Sequence, residues 1–359
     1  MRVISRYISR ELTKIIAICL GAFAAIYLVI DFFEKIDDFL EARVPIFLAL
    51  QYFVLKIPLI IQQGVPMAVL MGTLITLGLS ARNNELTALK ASGVSPILFA
   101  GPIVMVALML SLMDFVMSEY VVPLTSGQAN HIWKSEVKHR SSPGGFTQES
   151  LWYKSGRVLY NIRVFHPKRK MLEGVTIYFF DSTFGLVKRL DARRGEWDGE
   201  AWVLTDGILL QRGTEGNFTM VRFQRRRLEL EERPENFQHL ERAPEEMTVA
   251  ELGRYVDKIQ SEGYNATRYR VDFHAKIAFP FISVIMALLG IGVALYQGKR
   301  GGIAVGVAAS VALAFVYILV FQLVLSLGYA GRLQPILAAW ASNIFFGVVA
   351  LFLLAHARH

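Results

Sequence analysis

IAVGVAASVALAFVYILVFQLVLSL, residues 303–327, contains no charged side chain and no proline. An α-helix rises about 1.5 Å per residue, and the apolar core of a bilayer is about 30 Å thick. About 20 apolar residues are therefore enough to cross it, and this stretch predicts a membrane-spanning helix.

Five other stretches have the same character, and the whole chain of 359 residues is 53% hydrophobic, more than an ordinary soluble domain. They cover approximately residues 15–36, 46–79, 97–122, 272–296 and 333–355. The stretch 46–79 is longer than a bilayer requires, and its Pro58, Gly64 and Pro66 predict a kinked and tilted helix, or two pieces. The predicted fold is a polytopic α-helical membrane protein with six transmembrane helices.

The distribution of lysine and arginine in the short flanks predicts the orientation, because cytoplasmic flanks are enriched in these residues. With the N-terminus inside, the outer flanks hold only Lys35, Arg43 and Arg332. The cytoplasmic flanks hold three times as many cations, namely Arg2, Arg6, Arg10, Lys14, Arg82, Lys90, Lys299, Arg300 and Arg358. Both termini are therefore predicted to be cytoplasmic, and the net charge of +8 is explained without a nucleic-acid partner.

This orientation places one large segment, residues 123–271, on the outer side of the membrane. Aromatic and β-branched runs at 151–165, 175–181, 201–211 and 218–230 predict strands. Asp198–Gly199 and Asp206–Gly207 predict turns, because glycine tolerates positive φ. Short strands without intervening helices predict an all-β sandwich, jelly roll or open barrel.

Thr248 and Glu251 match a capping box at the start of an amphipathic helix over 248–262. This helix either packs on the sheet or lies on the membrane surface. The predicted organisation is an N-terminal membrane half (1–122), an outer β domain (123–271) and a C-terminal membrane half (272–359).

The sequence has no recognisable catalytic or metal-binding pattern. It lacks the P-loop, the H-E-x-x-H zinc motif and the G-x-S-x-G nucleophile motif, its seven histidines are scattered, and its single cysteine excludes an intramolecular disulfide. We therefore predict a non-enzymatic protein without a catalytic residue, a metal or a cofactor of its own.

A short polar stretch, ARNNELTALKASGVSP (81–96), lies between the second and third apolar stretches. Asn83 can cap the start of a helix, and Gly93 can end it. Glu85 and Arg82 supply charge beside the apolar Leu86 and Leu89, a combination that suits docking to a partner protein. The alternative is a surface helix that rests on lipid headgroups.

Four stretches in this order resemble the LptF/LptG family of lipopolysaccharide-export permeases, the membrane subunits of an ABC transporter. They are the polar stretch at 81–96, SEYVVP (118–123), LWYKSGRVLYNI (151–162) and the segment LGRYVDKIQSEGYNATRYRVDFHAKIAFP (252–280). Together with the basic N-terminus, the resemblance extends over nearly the whole chain, and it is closer to LptG than to LptF.

The resemblance implies a jelly-roll-like periplasmic domain, location in the bacterial inner membrane and several partners. These are a sister LptF-type permease, an LptB-type ATPase dimer that binds the ATP, and LptC/LptA-type proteins of the periplasmic bridge. The cargo would be lipopolysaccharide. Residues 81–95 would be the coupling helix, with Glu85 as polar contact, Leu86 and Leu89 as packing residues, and Arg82 beside them.

The expected substrate-binding residues are the cations near the membrane, Lys35, Arg43, Lys56 and Lys276, of which Lys35 and Arg43 are the primary candidates for lipid phosphate. The run DFFEKIDDFLEARVP (31–45) is mostly acidic, so divalent cations that bridge its carboxylates to phosphate are an alternative. A membrane-anchored periplasmic lipid-binding or scaffold protein without a transport cycle is the alternative function.

Overall fold

The computed structural model describes residues 2–85, 88, 100–138, 151–155, 157–166, 169–181, 183–213, 217–228, 243–261, 265–297 and 303–356. The chain divides into two compact units. The first comprises Met1–Ser141, Pro244–Val256 and Asn265–His359, and the second comprises Ser142–Ala243 and Asp257–Tyr264.

The first unit is helical, and its helices confirm the prediction of six spans. Five helices are long and apolar enough to cross a membrane, and a bent pair supplies a sixth. The helices are α1 (Arg2–Glu41), α2 (Ile46–Arg82), α3 (Ala100–Val116), α4 (Val122–Ile132), α5 (Val249–Ser261), α6 (Thr267–Ala278), α7 (Phe281–Gln297), α8 (Ile303–Tyr329) and α9 (Pro335–His356).

Three spans show how prolines are accommodated. Helix α2 continues through Pro58 and Pro66 as a single helix rather than two pieces. Helices α3 and α4 are joined by the π-helical turn Met117–Val121, immediately before Pro123, and a second π-turn, Trp133–Lys138, extends the span. Residues 123–138, which the sequence assigns to the outer segment, thus continue the third span. Between α6 and α7, Pro280 coincides with a bend of 53°.

Helix α2 lies at the centre of the helical unit. Of its most apolar window, 72% is buried, against 11% for α1, whose apolar surface is therefore largely available to lipid. Two glycines let α1 approach α2 closely, since a Cβ atom at Gly64 would collide with Phe23 and one at Gly72 would collide with Ile16.

The second unit contains one antiparallel sheet of six strands in the consecutive order β1 to β6. The strands are β1 (Leu151–Ser155), β2 (Val158–His166), β3 (Met171–Phe180), β4 (Leu186–Trp197), β5 (Trp202–Arg212) and β6 (Phe218–Leu228). Fully buried apolar side chains from the inner strands form the core, among them Ile177, Leu190, Trp202 and Leu204. The inserted β domain is therefore confirmed, the described strands follow one another as a meander, and the jelly-roll arrangement stays a prediction.

Strand β4 is missing from the sequence prediction, and residues 151–165 form two strands rather than one. The Asp198–Gly199 turn is confirmed, because it joins β4 to β5 and Gly199 has a φ of 110°. The Asp206–Gly207 turn is wrong, since the pair lies inside β5, where Asp206 has a φ of 52°. The same residue types, such as Asp followed by Gly, occur in turns and at irregular positions within strands, so the sequence alone does not distinguish them.

The capping box before α5 is confirmed. The backbone N–H of Thr248 donates to Glu251 Oε2, and the N–H of Glu251 donates to Thr248 Oγ1 at 3.1 Å. Two N–H groups that the helix itself cannot satisfy are thereby bonded.

Candidate functional site

Three charged side chains meet near the turn that joins α1 to α2. Lys35 and Asp31 are one turn apart on α1, and Lys56 projects from α2. Both ammonium groups donate hydrogen bonds to Asp31 Oδ1, that of Lys56 at 2.9 Å. Asp31 is only 4% exposed, and the two lysines satisfy its Oδ1, whereas its buried Oδ2 has no hydrogen-bond partner among the described residues.

Aromatic rings surround these ammonium groups. The Lys35 nitrogen lies 5.7 Å from the ring centroids of both Tyr52 and Trp133, and the Lys56 nitrogen lies 5.3 Å from that of Tyr52. Phe39 packs against both rings. Such geometry is attractive, because the face of an aromatic ring carries partial negative charge. Two cations and one carboxylate leave the lysine cluster, defined as Asp31, Lys35 and Lys56, with one net positive charge.

The other two predicted substrate contacts, Arg43 and Lys276, make no hydrogen bond or ion pair with the lysine cluster among the described residues. Arg43 is exposed in the turn between α1 and α2, with a φ of 50°. Lys276 donates to the carbonyl of Met247 and is attracted by nearby carboxylates, chiefly Glu119 and Glu245. The structure therefore brings together Lys35 and Lys56 of the four predicted cations.

The predicted coupling segment is described only at its start. Ala81 and Arg82 complete α2, and Asn83 is the C-cap of that helix, with its N–H bonded to the carbonyl of Leu79. Asn83 therefore ends α2, and its capping of a following helix stays a prediction. Leu86, Leu89 and most of the predicted helix 81–95 lie outside the described residues.

Glu85 is hydrogen-bonded to a residue of the first helix. The hydroxyl of Tyr7, on the first turns of α1, donates to Glu85 Oε1 at 3.3 Å. The two residues are 78 positions apart, so no local pattern in the sequence could reveal this pair. The bond connects the start of α1 to the segment that follows α2.

A third group of contacts holds the segment 244–249, which we call the return segment, against the helices. Glu119 Oε2 accepts the backbone N–H of Val249 at 2.8 Å, and Asn130 donates to Glu246 at 2.6 Å. Together with the bond from Lys276 to Met247, these contacts connect the return segment to the third and fourth spans. In the sequence, Glu119 belongs to the stretch SEYVVP (118–123), which does not reveal its partner.

Comparisons with known proteins agree with one another. The protein-family model described as "Lipopolysaccharide export system permease LptF/LptG" matches residues 6–356. The lipopolysaccharide export system permease protein LptG of Escherichia coli K12 is 24% identical over 359 residues, which covers 98% of each chain. LptG of Haemophilus influenzae is 21% identical over 360 residues, which covers 99% of each chain.

Proposed function

Because the chain belongs to the LptF/LptG family of lipopolysaccharide export system permeases, we propose that it is the transmembrane subunit of an ABC transporter. This transporter extracts lipopolysaccharide from the bacterial inner membrane and passes it to a periplasmic bridge toward the outer membrane. The observation that supports this function most strongly is the net positive lysine cluster, set between two spans of a six-span permease.

The chemistry of the lysine cluster suits a lipid phosphate. Asp31 holds both lysines in place but neutralises only one of them, so an anion can complete the charge balance. Charge-assisted hydrogen bonds from ammonium to phosphate are strong where aromatic rings exclude water. The exposed Arg43 in the adjacent turn can contact a second phosphate. Lys276 stays a predicted substrate contact, and its bond to Met247 also gives it a structural role.

The acyl chains of the cargo require an apolar surface beside the phosphate site. Helix α1 supplies one, since most of its apolar window is exposed in the single chain. Ile26, Ile30 and Phe33 are more than half exposed on the helix that carries Asp31 and Lys35. We propose that a sister LptF-type permease faces this surface and that the two subunits enclose the lipid.

The energy for transport would come from ATP bound and hydrolysed by a separate LptB-type ATPase dimer. We propose that this dimer docks on residues 81–95, with Arg82 and Glu85 as polar contacts and Leu86 and Leu89 as packing residues. Arg82 is exposed at the end of α2, which is also the most buried span. A force applied there would reach the centre of the helical unit directly.

The β unit would then pass the lipid to LptC/LptA-type bridge proteins in the periplasm. Its last described strand, β6, exposes large apolar side chains, with Phe218 at 47%, Met220 at 61% and Val221 at 53%. An exposed apolar strand at the end of a sheet is a suitable surface for an acyl chain or for strand pairing with another sheet. We propose that both termini lie in the cytoplasm, as the lysine and arginine distribution predicts.

The test is ATP-dependent release of lipopolysaccharide from proteoliposomes that contain the chain and the subunits with which it co-purifies. Release should require ATP, and Lys35→Gln with Lys56→Gln should lower both release and bound lipopolysaccharide at least ten-fold. Arg332→Gln is the matched control, because Arg332 is an exposed cation in the turn between α8 and α9. Lipopolysaccharide binding without any ATP-dependent release would support the scaffold function instead.

A further inference from the structure

A cavity of about 160 Å³ lies within the helical unit, and none of the three residues of the lysine cluster lines it. Its walls come from α2, the π-turn after α3, the return segment, α6 and α8. Cavities of about this size can hold a molecule as large as benzene. The space therefore suits a small group rather than a whole lipid.

Two polar side chains with little exposure line this cavity. Gln62 is 9% exposed and Ser118 is 3% exposed, and both belong to candidate membrane-spanning helices. An occupant that donates hydrogen bonds would therefore meet polar acceptors in an otherwise apolar surrounding.

The electrostatic surroundings select a cation. Glu245 and Asp272 also line the cavity, and the ammonium of Lys276 is already bonded to the Met247 carbonyl. Among the described lining residues, two carboxylates, Glu245 and Asp272, stand against one cation, Lys276. The walls thus carry net negative charge, which disfavours a phosphate and favours an ammonium group.

A primary ammonium matches the acceptors that the cavity provides. It has three N–H donors and no acceptor. Glu245 offers a carboxylate, Gln62 a carbonyl oxygen and Ser118 a hydroxyl oxygen. The remaining wall is apolar, with Leu59, Phe279 and others, and can contact a short alkyl chain.

We propose that this cavity binds the aminoethyl end of a phospholipid headgroup, with Glu245, Gln62 and Ser118 as the three acceptors. The helices around it are candidate membrane spans, so a bilayer lipid is closer at hand than a soluble amine. This site goes beyond the proposed transport function, since it holds a lipid other than the cargo and does not use the lysine cluster. The bound headgroup would connect α2 to the return segment.

Native mass spectrometry of the purified full-length chain, with any subunits that co-purify, tests this site. Three lipids with identical acyl chains are added after delipidation: phosphatidylethanolamine, phosphatidylcholine and phosphatidylglycerol. Phosphatidylethanolamine should bind at least ten-fold more tightly than the other two. The quaternary nitrogen of phosphatidylcholine donates no N–H, and phosphatidylglycerol carries no cation.

Variants locate the binding. Glu245→Gln and Ser118→Ala should each lower phosphatidylethanolamine affinity at least three-fold, and both changes are small enough to preserve the fold. Glu41→Gln, at an exposed carboxylate on α1, is the control. The readout is lipid affinity rather than export, so the result is separate from the outcome of the transport proposal.

Two results would overturn the headgroup site. One is equal affinity for the three lipids, or affinity that neither Glu245→Gln nor Ser118→Ala changes. The other is displacement of the lipid by free ethanolamine at equal concentration, which would assign the cavity to a soluble amine.

Discussion

Lys56 on α2 donates a 2.9 Å hydrogen bond to Asp31 on α1, across the gap between the first two spans. Asp31 also accepts a hydrogen bond from Lys35 on its own helix, so one buried carboxylate binds two ammonium groups. We propose that this pair both holds α1 against α2 and positions the charge for a lipid phosphate.

The first prediction concerns that pair. Lys56→Met keeps the length of the side chain and removes its charge, and it should lower the free energy of unfolding by about 1–3 kcal/mol, as expected for a hydrogen bond to a charged group. The estimate is modest because Lys35 still bonds Asp31. Thermal unfolding in detergent measures the effect.

A double-mutant cycle shows whether the two residues act together. The loss in Asp31→Asn with Lys56→Met should be smaller than the sum of the single losses, because both changes remove the same interaction. Additive losses would show that the 2.9 Å bond does not contribute to stability.

The second prediction concerns the link between Tyr7 and Glu85. Tyr7→Phe removes one hydroxyl, and its effect on stability should be below about 1 kcal/mol because the bond is exposed. If α1 and the coupling segment move together, the variant should release less lipopolysaccharide per ATP hydrolysed, while the ATPase still binds. Glu85→Lys should instead abolish ATPase binding.

Tyr296→Phe is the control for this experiment, since Tyr296 is 75% exposed near the end of α7. Equal transport ratios for Tyr7→Phe and Tyr296→Phe would show that the contact to α1 has no part in coupling.

The third prediction concerns Glu119, which accepts the N–H of Val249 at the start of α5. A carboxylate at a helix N-terminus both accepts an unsatisfied N–H and interacts favourably with the helix dipole. Glu119→Ala should therefore destabilise the first turn of α5 by about 0.5–2 kcal/mol. Hydrogen–deuterium exchange over residues 249–256 should become faster.

Glu34→Ala removes an exposed carboxylate from another helix and serves as the reference. Unchanged exchange in Glu119→Ala, relative to this reference, would mean that the capping box of Thr248 and Glu251 is sufficient to hold the helix start.

The fourth prediction concerns pH. The backbone N–H groups of Ala201 and Glu200 donate to Asp198 Oδ1 and lower the pKa of this carboxyl below its usual value, and Arg227 lies 3.1 Å from its other oxygen. A carboxyl with a lowered pKa in the folded state stabilises the protein above the pKa of the unfolded chain. This contribution is lost as the pH falls through the lowered pKa.

The turn between β4 and β5 should accordingly open as the pH falls below about 4, the usual value for aspartate. Trp197 and Trp202 flank this turn with ring centroids 5.3 Å apart, so their fluorescence should report the opening. Asp198→Asn should lack this pH-dependent change, and an identical titration in both proteins would refute the role of Asp198.

The spans could be predicted from sequence because hydropathy depends on composition and length, which are local properties. The continuation of α2 through Pro58 and Pro66 could not, since it is neighbouring helices that decide whether a proline interrupts a span. Strand β4 was missed because LVKRLDARRGEW is rich in charge and has few apolar residues to show alternation. Its pairing with β3 and β5 determines its conformation.

The candidate site shows the same division between local and long-range information. Lys35 and Lys56 could be identified because a charge within an apolar run is conspicuous. Their common partner Asp31, the link between Tyr7 and Glu85, and the role of Glu119 depend on contacts between distant segments. From the sequence, Asp31 lies near Lys35 at the outer end of the first span, but its contact with Lys56 cannot be predicted.

We propose that this chain works as one subunit of a lipopolysaccharide exporter. The decisive experiment is mild purification of the tagged full-length chain, expressed with its native operon in a Gram-negative host, followed by mass spectrometry of everything that co-purifies. A P-loop ATPase, a sister six-span protein and lipid A should be recovered in the same complex. Recovery of the chain alone, under conditions in which a control ABC transporter stays intact, would contradict it.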